Sequence, residues 1–433
     1  MRPTDALPHP ADWSTTTVGR SVELKRGVSW SKEQEHSKPG SDRVPVIGIR
    51  NVQDRLDLTD LLYLSGLKPA AADKARVSAG WTVMVGSNGN RARIGNAVLV
   101  REDAEFLFAS FLIGAKPMED SGLSSEYFYR WLSTDQVQAY LSASSEGTTG
   151  LNNLSHSFFR AMSIPVPPPD EQAAIARILD VVDAALERTR AAVERSRELR
   201  RGLLQASFGF VGSTEAEKDT DAGRIPRSWD AIKGREAFVV LTGGCSSVDA
   251  LTLPRDGRSP DAWFMKVDDF NDSANRRAIL RTKIGFVAAE NRLFKVLPVG
   301  TVVIAKRGAA IMKNRVRTTA VPVSLDPNLM ALQVLPGMRP DFLRLQLEWR
   351  NLSRYVENSG VPQLNNKDLY PRYFVRAPDE RQAEIIGVVA GAEQVEDALI
   401  AKADALEQLK RSLMHDLLTG RVRVGDAAKV VAS

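Results

Sequence analysis

Two short stretches of this chain concentrate side chains that can hold a phosphate or read the edge of a base. The first follows Gly86 and offers Asn88, Asn90, Arg91 and Arg93. The second offers Lys306, Arg307, Lys313, Asn314, Arg315 and Arg317. Lys and Arg neutralise phosphate charge, and Arg and Asn can each make two hydrogen bonds at once to guanine or adenine edges. Any one of these residues alone would read as part of a solvated loop. Both stretches, however, follow similar apolar runs, residues 80–85 in one case and 300–305 in the other. That recurrence favours a nucleic-acid contact.

Chemistry of other kinds is hard to find. No Gly-rich loop ends in Lys-Ser/Thr, so there is no ATPase signature. His9, His36, His156 and His415 are scattered, with no two at metal-ligand spacing, and read as surface or capping residues. Asp326-Pro327-Asn328-Leu329 is a faint version of the Asp-Pro-Pro-Tyr motif of amino-methyltransferases. It lacks the second proline and the stacking aromatic, and reads as a turn. Asp12 with Glu23-Leu24-Lys25 fits the acid-then-Glu-x-Lys pattern of metal nucleases, a pattern loose enough for chance to supply it. The single cysteine, Cys245, excludes an intramolecular disulfide and a thiolate zinc cluster, and fits a reducing cytoplasm. Residues 1–13 lack the apolar core of a signal peptide, and no apolar run is long enough for a bilayer, so no membrane is expected. With 433 residues, 43% hydrophobic, two to four globular domains are expected; a net charge of +5 permits nucleic-acid binding without requiring it.

The elements that must hold the two loops are organised around a helix that the chain makes twice. Pro167-Pro168-Pro169-Asp170-Glu171-Gln172 opens one copy, and Ala377-Pro378-Asp379-Glu380-Arg381-Gln382 opens the other. Gln382 stands 210 residues after Gln172, and at that offset Ile175 meets Ile385, Leu199 meets Leu409 and Leu203 meets Leu413. An ungapped match along a whole helix marks an internal duplication. Proline at a helix start removes an N–H that would have no partner, and Asp170 and Glu171 sit at the positive end of the dipole. The first helix, about residues 170–207, would be about 57 Å long. Its apolar stripe is Ile175, Leu179, Val182, Leu186, Val193, Leu199 and Leu203. The second carries Ile385, Val389, Leu399, Leu406 and Leu413 in the same role. A long helix with so narrow a stripe needs a partner helix.

Before each helix lies a mixed region. In the first, residues 44–52 and 80–85 read as strands and residues 124–141 as one helix, capped by Ser124 or Ser125, with Tyr127, Phe128 and Trp131 in the core. The second half echoes this pattern weakly. Residues 264–270 parallel 46–52, residues 342–356 parallel the helix, and Leu364-Asn365-Asn366 repeats Leu151-Asn152-Asn153, where the first asparagine of each triplet is expected to cap a helix.

Together these features resemble the specificity subunit of type I restriction–modification systems. The resemblance rests on Ile164-Pro165-Val166-Pro167-Pro168 leading into Glu171-Gln172, on its second copy, and on Ile225-Pro226-Arg227-Ser228-Trp229. It also rests on the helix ends Leu199-Arg200-Arg201-Gly202-Leu203-Leu204 and Leu409-Lys410-Arg411-Ser412-Leu413-Met414. Arg381 departs from the usual acid before the glutamine. The implied fold is α+β: two mixed α/β target-recognition domains separated by two long helices packed as an antiparallel coiled coil, in a pseudo-twofold duplication. The implied boundaries are target-recognition domains at 1–167 and 225–377, spacer helices at 168–209 and 378–420, a linker at 210–224 and a flexible tail at 421–433. The resemblance also implies a non-catalytic subunit whose domains each read half of a bipartite, asymmetric site on double-stranded DNA. Its helix residues would serve the helix pair and the docking of two methyltransferase subunits, with restriction subunits joining through them. S-adenosylmethionine, ATP and Mg would belong to those partners, and no cofactor or metal to this chain. A self-sufficient nuclease or methyltransferase of a related defence system is the alternative.

Overall fold

The computed structural model describes residues 7–148, 150–209, 216–242, 251–254, 258–356 and 361–424. Cys245, residues 210–215 of the linker and residues 425–433 of the tail lie outside these. The chain divides into two compact units, Met1–Arg190 with Ala401–Ser433, and Ala191–Ile400. The division cuts through both long helices, Pro169–Phe208 and Asp379–Leu418, so each unit owns half of each. The expected spacer helices are therefore not separate bodies; each half belongs to the core of the unit beside it.

In the first unit an antiparallel sheet runs in the order Val22–Arg26, Leu112–Pro117, Thr82–Val85, Ala97–Leu99. A second sheet has Val44–Ile47 at its centre, parallel to Phe106–Phe108 and antiparallel to Leu62–Leu64. Ser14–Thr17 pairs with Ser163–Val166, the strand that leads into the long helix. The second unit repeats this plan. Phe238–Thr242, Leu329–Val334, Val302–Ala305 and Val316–Thr319 follow in the same order. Ala262–Met265 is parallel to Val323–Leu325 and antiparallel to Ile284–Phe286, and Asp230–Lys233 pairs with Tyr373–Arg376. Topology thus carries the duplication through the globular parts, where the sequence echoes only faintly.

Several local expectations change. The single helix over 124–141 is two, Ser125–Leu132 and Asp135–Ala143. The break follows from hydroxyl chemistry: Ser133 Oγ donates to Tyr129 O, and Thr134 Oγ1 accepts from the Val137 N–H to cap the second helix. Ser124 caps the first, and Tyr127, Phe128 and Trp131 are fully buried. Within the expected linker, Glu217–Thr220 and Gly223–Pro226 form a hairpin. At the start of the expected flexible tail, Arg423 pairs with Asp12 and Glu171, and Val422 and Val424 pack on the first unit's core.

Two buried polar clasps fix each domain to its helix. Gln172 Oε1 accepts from the Ser124 N–H at 2.8 Å, while its Nε2 donates to Gly122 O and Pro167 O. Gln382 does the same with the Arg339 N–H, Gly337 O and Ala377 O. Gly122 and Gly337 have φ of 71° and 90°, the left-handed turn that aims each carbonyl at the glutamine. The second clasp is a buried arginine. Arg130 reaches Asp180 and Asp183 on the first helix, both at 2.5 Å. Arg344 reaches Glu393 on the second at 3.1 Å, within a cluster that adds Arg200, Arg277 and Glu348. Glu393 stands 210 residues after Asp183, so the clasp is part of the duplication.

Within each unit the two helix segments run antiparallel. Lys410 pairs with Asp183 and Arg190 with Glu407 in the first unit; Arg197 pairs with Glu396 and Arg200 with Glu393 in the second. Ile175, Leu179, Val182, Leu186, Ile385, Val389 and Leu413 are buried, and Leu203, Leu399 and Leu406 half-buried. Leu199 is 58% exposed and leaves the stripe. Seam positions between the apolar ends are filled by Thr189, Ser196, Glu393 and Glu396, all buried, and Leu204 rather than Leu199 enters the second core. A period of 3.6 residues drifts against a seven-residue repeat, and this carries Leu199 off the seam.

Candidate functional site

Both loops grow from the same place, the end of the third strand of the main sheet. In the first unit Thr82–Val85 passes Gly86 into Ser87–Asn88, which pairs with Leu151–Asn153, itself paired with Glu146–Thr148 in a three-stranded ribbon. Asn88 Oδ1 accepts from the Asn90 N–H at 2.8 Å, and Asn90 Oδ1 accepts from the Ala92 N–H at 3.0 Å. These two bonds start the turn Arg91–Arg93. Arg93 donates to Val52 O at 3.0 Å, and Arg91 Nε to Ser142 O at 2.7 Å. Three of the four candidates here, Asn88, Asn90 and Arg93, are thus builders of the loop. Arg91 is exposed but tethered.

In the second unit Val302–Ala305 passes Lys306 into the turn Gly308–Lys313. Arg307 forms an antiparallel bridge with Gln363, and Leu364 N–H donates to Lys306 O at 2.9 Å. Asn314 takes a left-handed conformation, φ 48°, donates to Glu348 O and accepts from the Leu352 N–H. Arg315 donates to Phe270 O, and Arg317 to Asn275 O, each at 2.8 Å. Burial pushes the Arg317 guanidinium down to about 10, so it remains charged at neutral pH, facing Glu348 at 3.8 Å. Arg307 and Lys313 are exposed, and Lys306 is half-buried. The loop therefore divides by role. Asn314, Arg315 and Arg317 hold it, while Arg307 and Lys313 present charge to solvent.

The equivalence of the loops is set by hydrogen bonds rather than by the Leu-Asn-Asn triplets. Leu154 N–H donates to Gly86 O, as Leu364 N–H donates to Lys306 O, and both leucines are buried. Leu154, not Leu151, is the counterpart of Leu364. Asn365 does precede the helix Asn366–Leu369, with its N–H bonded to Asp368. Asn152 caps nothing; its amide donates to the carbonyls of Asn88 and Gly89, tying the ribbon to the loop. The sequence signal for this register was the 210-residue helix offset, which continues back to Leu154 and Leu364, whereas Gly86 and Lys306, on which they close, stand 220 residues apart.

Among the described residues no group of three or more His, Cys, Asp or Glu could hold a metal, and no helix is long and apolar enough to cross a membrane. What the loops offer is donors and positive charge on rigid supports. A family model described as the type I restriction modification DNA specificity domain matches residues 10–195. The StySPI type I restriction enzyme specificity subunit of Salmonella potsdam is 27% identical over 92% of this chain and 84% of its own. The chain is therefore similar to the specificity subunits of type I restriction–modification systems. The EcoKI specificity subunit of Escherichia coli K12 is 26% identical over 46% of this chain and 42% of its own. The fold matches the crystal structure of a type I restriction–modification S subunit from M. genitalium with a TM-score of 0.57, at 17% identity, covering 96% of this chain and 99% of that one. The family model stops near the middle of the first long helix; the repeated sheets and clasps extend the same architecture into the second half.

Proposed function

We propose that this chain is a type I restriction–modification specificity subunit, a non-catalytic DNA reader whose two globular units each read one half of a bipartite, asymmetric site. The observation that carries the proposal is one scaffold built twice, with equivalent clasps and different loop side chains. Two copies of one loop chemistry would suit a palindrome. Here the first unit presents a tethered Arg91 on a loop built by Asn88 and Asn90, where the other unit presents the exposed charges of Arg307 and Lys313. Different donors read different bases.

On this reading the two methyltransferase subunits dock on the outer faces of the helices and bring S-adenosylmethionine, and restriction subunits bring ATP and Mg. Leu199 and Leu409 occupy equivalent places in the duplication, 58% and 37% exposed, and are the apolar residues we assign to that docking. The test is to exchange residues 1–166 for the corresponding segment of a relative, then map methylated adenines across a genome. One half of the methylated site should change and the other persist. An unchanged site, or turnover by the lone chain with Mg or S-adenosylmethionine, would overturn the proposal.

A further inference from the structure

We infer that Leu151 and Val361 are base-contacting residues, one in each unit, that read the 5-methyl group of thymine. This deepens the DNA-reading role proposed above and rests on it. The two residues are equivalent: each stands three positions before the buried leucine, Leu154 or Leu364, whose N–H closes onto the main sheet. Both are aliphatic and both face water, Leu151 at 44% and Val361 at 76% exposure. A single exposed aliphatic residue needs no explanation. Two at the same place in a duplication, on loops that also expose Arg91, Arg307 and Lys313, do need one; Met312, 57% exposed, adds a further apolar side chain to the second loop.

Their settings point to the same partner. Leu151 opens Leu151–Asn153, the middle strand of the three-stranded ribbon that continues from the first loop. Val361 lies two residues before Gln363, which bridges to the exposed Arg307. The backbone beside each tip is open. Gly150 has φ 86° and Gly308 φ 74°, and a Cβ added at either would meet nothing within 4 Å. Glycine there lets another backbone come close. Positive charge holds the phosphates, amides address base edges, and the aliphatic tip supplies what neither can: an apolar contact. In the major groove the thymine methyl is the apolar group on offer, and it separates thymine from every other base.

The test uses the full chain to select from randomised duplex pools synthesised with thymine or with deoxyuridine, which differ by that methyl alone. At a thymine position in each half-site, preference should fall about fourfold in the deoxyuridine pool, the worth of one buried methyl-sized group. Leu151→Ala should erase that difference in one half-site only and Val361→Ala in the other only, with unchanged thermal midpoints. Leu151→Ile and Val361→Ile should restore it. Equal preference in the two pools, or a uniform affinity loss in both variants, would overturn the inference while leaving DNA reading intact. Failure of the wild-type chain to select any sequence would instead remove the proposed function and this inference together.

Discussion

Gln172 in the first unit and Gln382 in the second make the same three hydrogen bonds to equivalent partners, and Arg130 and Arg344 both reach carboxylates on their own long helix. At the loop ends the likeness stops. One unit has a three-stranded ribbon tied by asparagines; the other has a turn held by Asn314, Arg315 and Arg317. The difference follows from desolvation. A buried amide or guanidinium must keep every partner, because each group left unpaired costs about 1–3 kcal/mol. A side chain that meets water has no such obligation, so the loops are free to diverge while the clasps stay fixed.

The strongest way to break this comparison is through the arginines, which are equivalent in place but unequal in setting. The partners of Arg344 are nearly as buried as it is, with Glu393 and Glu348 at 7% and 9% exposure; Asp180 and Asp183, facing Arg130, are 41% and 34% exposed. Burial opposes the charge on Arg344, but Glu348 and Glu393 outweigh it and hold the guanidinium above its ordinary value. Removing one member of a buried pair costs about 3–5 kcal/mol, and solvent screening reduces this for exposed partners. Arg344→Met should therefore destabilise the second unit by about 3–5 kcal/mol, and Arg130→Met the first by about half as much. Denaturant-dependent hydrogen exchange, resolved by unit, measures both; equal losses would remove the asymmetry.

Gln172→Leu and Gln382→Leu test the part of the scaffold that is the same. Each strands a buried N–H and two carbonyls, so each should cost about 2–4 kcal/mol, with the two losses matching closely. A large inequality in the same exchange experiment would show that one clasp is held by something else.

Acid separates the units more gently. Burial would raise Asp183, but Arg130 and Lys410 win and hold it below the usual carboxylate range; burial would likewise raise Glu393, but Arg344, Arg200 and Arg277 hold it low. A depressed folded-state pKa gives stability that is present above the unfolded value, near 4, and is lost as pH falls through the folded one. Unfolding free energy should be flat from pH 7 to about 5 and fall below about 4. Asp183→Asn and Glu393→Gln should each shallow that acid limb in their own unit. A limb unchanged by either substitution would assign acid sensitivity elsewhere.

At the loops the comparison concerns tethered against untethered charge. Arg307 points to solvent, whereas Arg91 already donates to Ser142 O. Arg307→Ala should weaken binding to duplexes of every sequence and lower the slope of log affinity against log salt by about 1. Arg91→Ala should leave that slope unchanged and loosen the loop instead. Fluorescence anisotropy across a salt series distinguishes them.

The duplication and several sheet strands were legible in the sequence because each is a spacing, and spacing survives when side chains change; the narrow stripes asked for a partner helix, while its antiparallel direction came only from the family resemblance. The roles of single residues were less so. Gln172 looked like part of a helix start, since the carbonyls it serves are remote in sequence, at Gly122 and Pro167. Asn314, Arg315 and Arg317 looked like readers because composition does not reveal which way a side chain bonds; their partners lie on other loops of the same unit. The Leu-Asn-Asn triplets misled for a related reason. Chemical likeness suggested one register, while the ladder that closes on Lys306 and Gly86 imposes another.

The smallest stability effect belongs to the residues that left the helix seam. Leu199 and Leu409 are exposed at matching positions, so Leu199→Ser and Leu409→Ser should each change unfolding free energy by no more than about 0.5 kcal/mol. If these leucines serve only their own helix pair, that near-silence would be the whole result. If they dock methyltransferase subunits, loss of buried apolar area should weaken assembly about tenfold or more for each leucine, since a fully buried Leu contributes about 1.5–3 kcal/mol. Size-exclusion chromatography of the variants with the methyltransferase reads this directly. The double variant should remain folded and bind DNA, yet elute without its partner; retention of two methyltransferase copies would place the docking surface on another face of the helices.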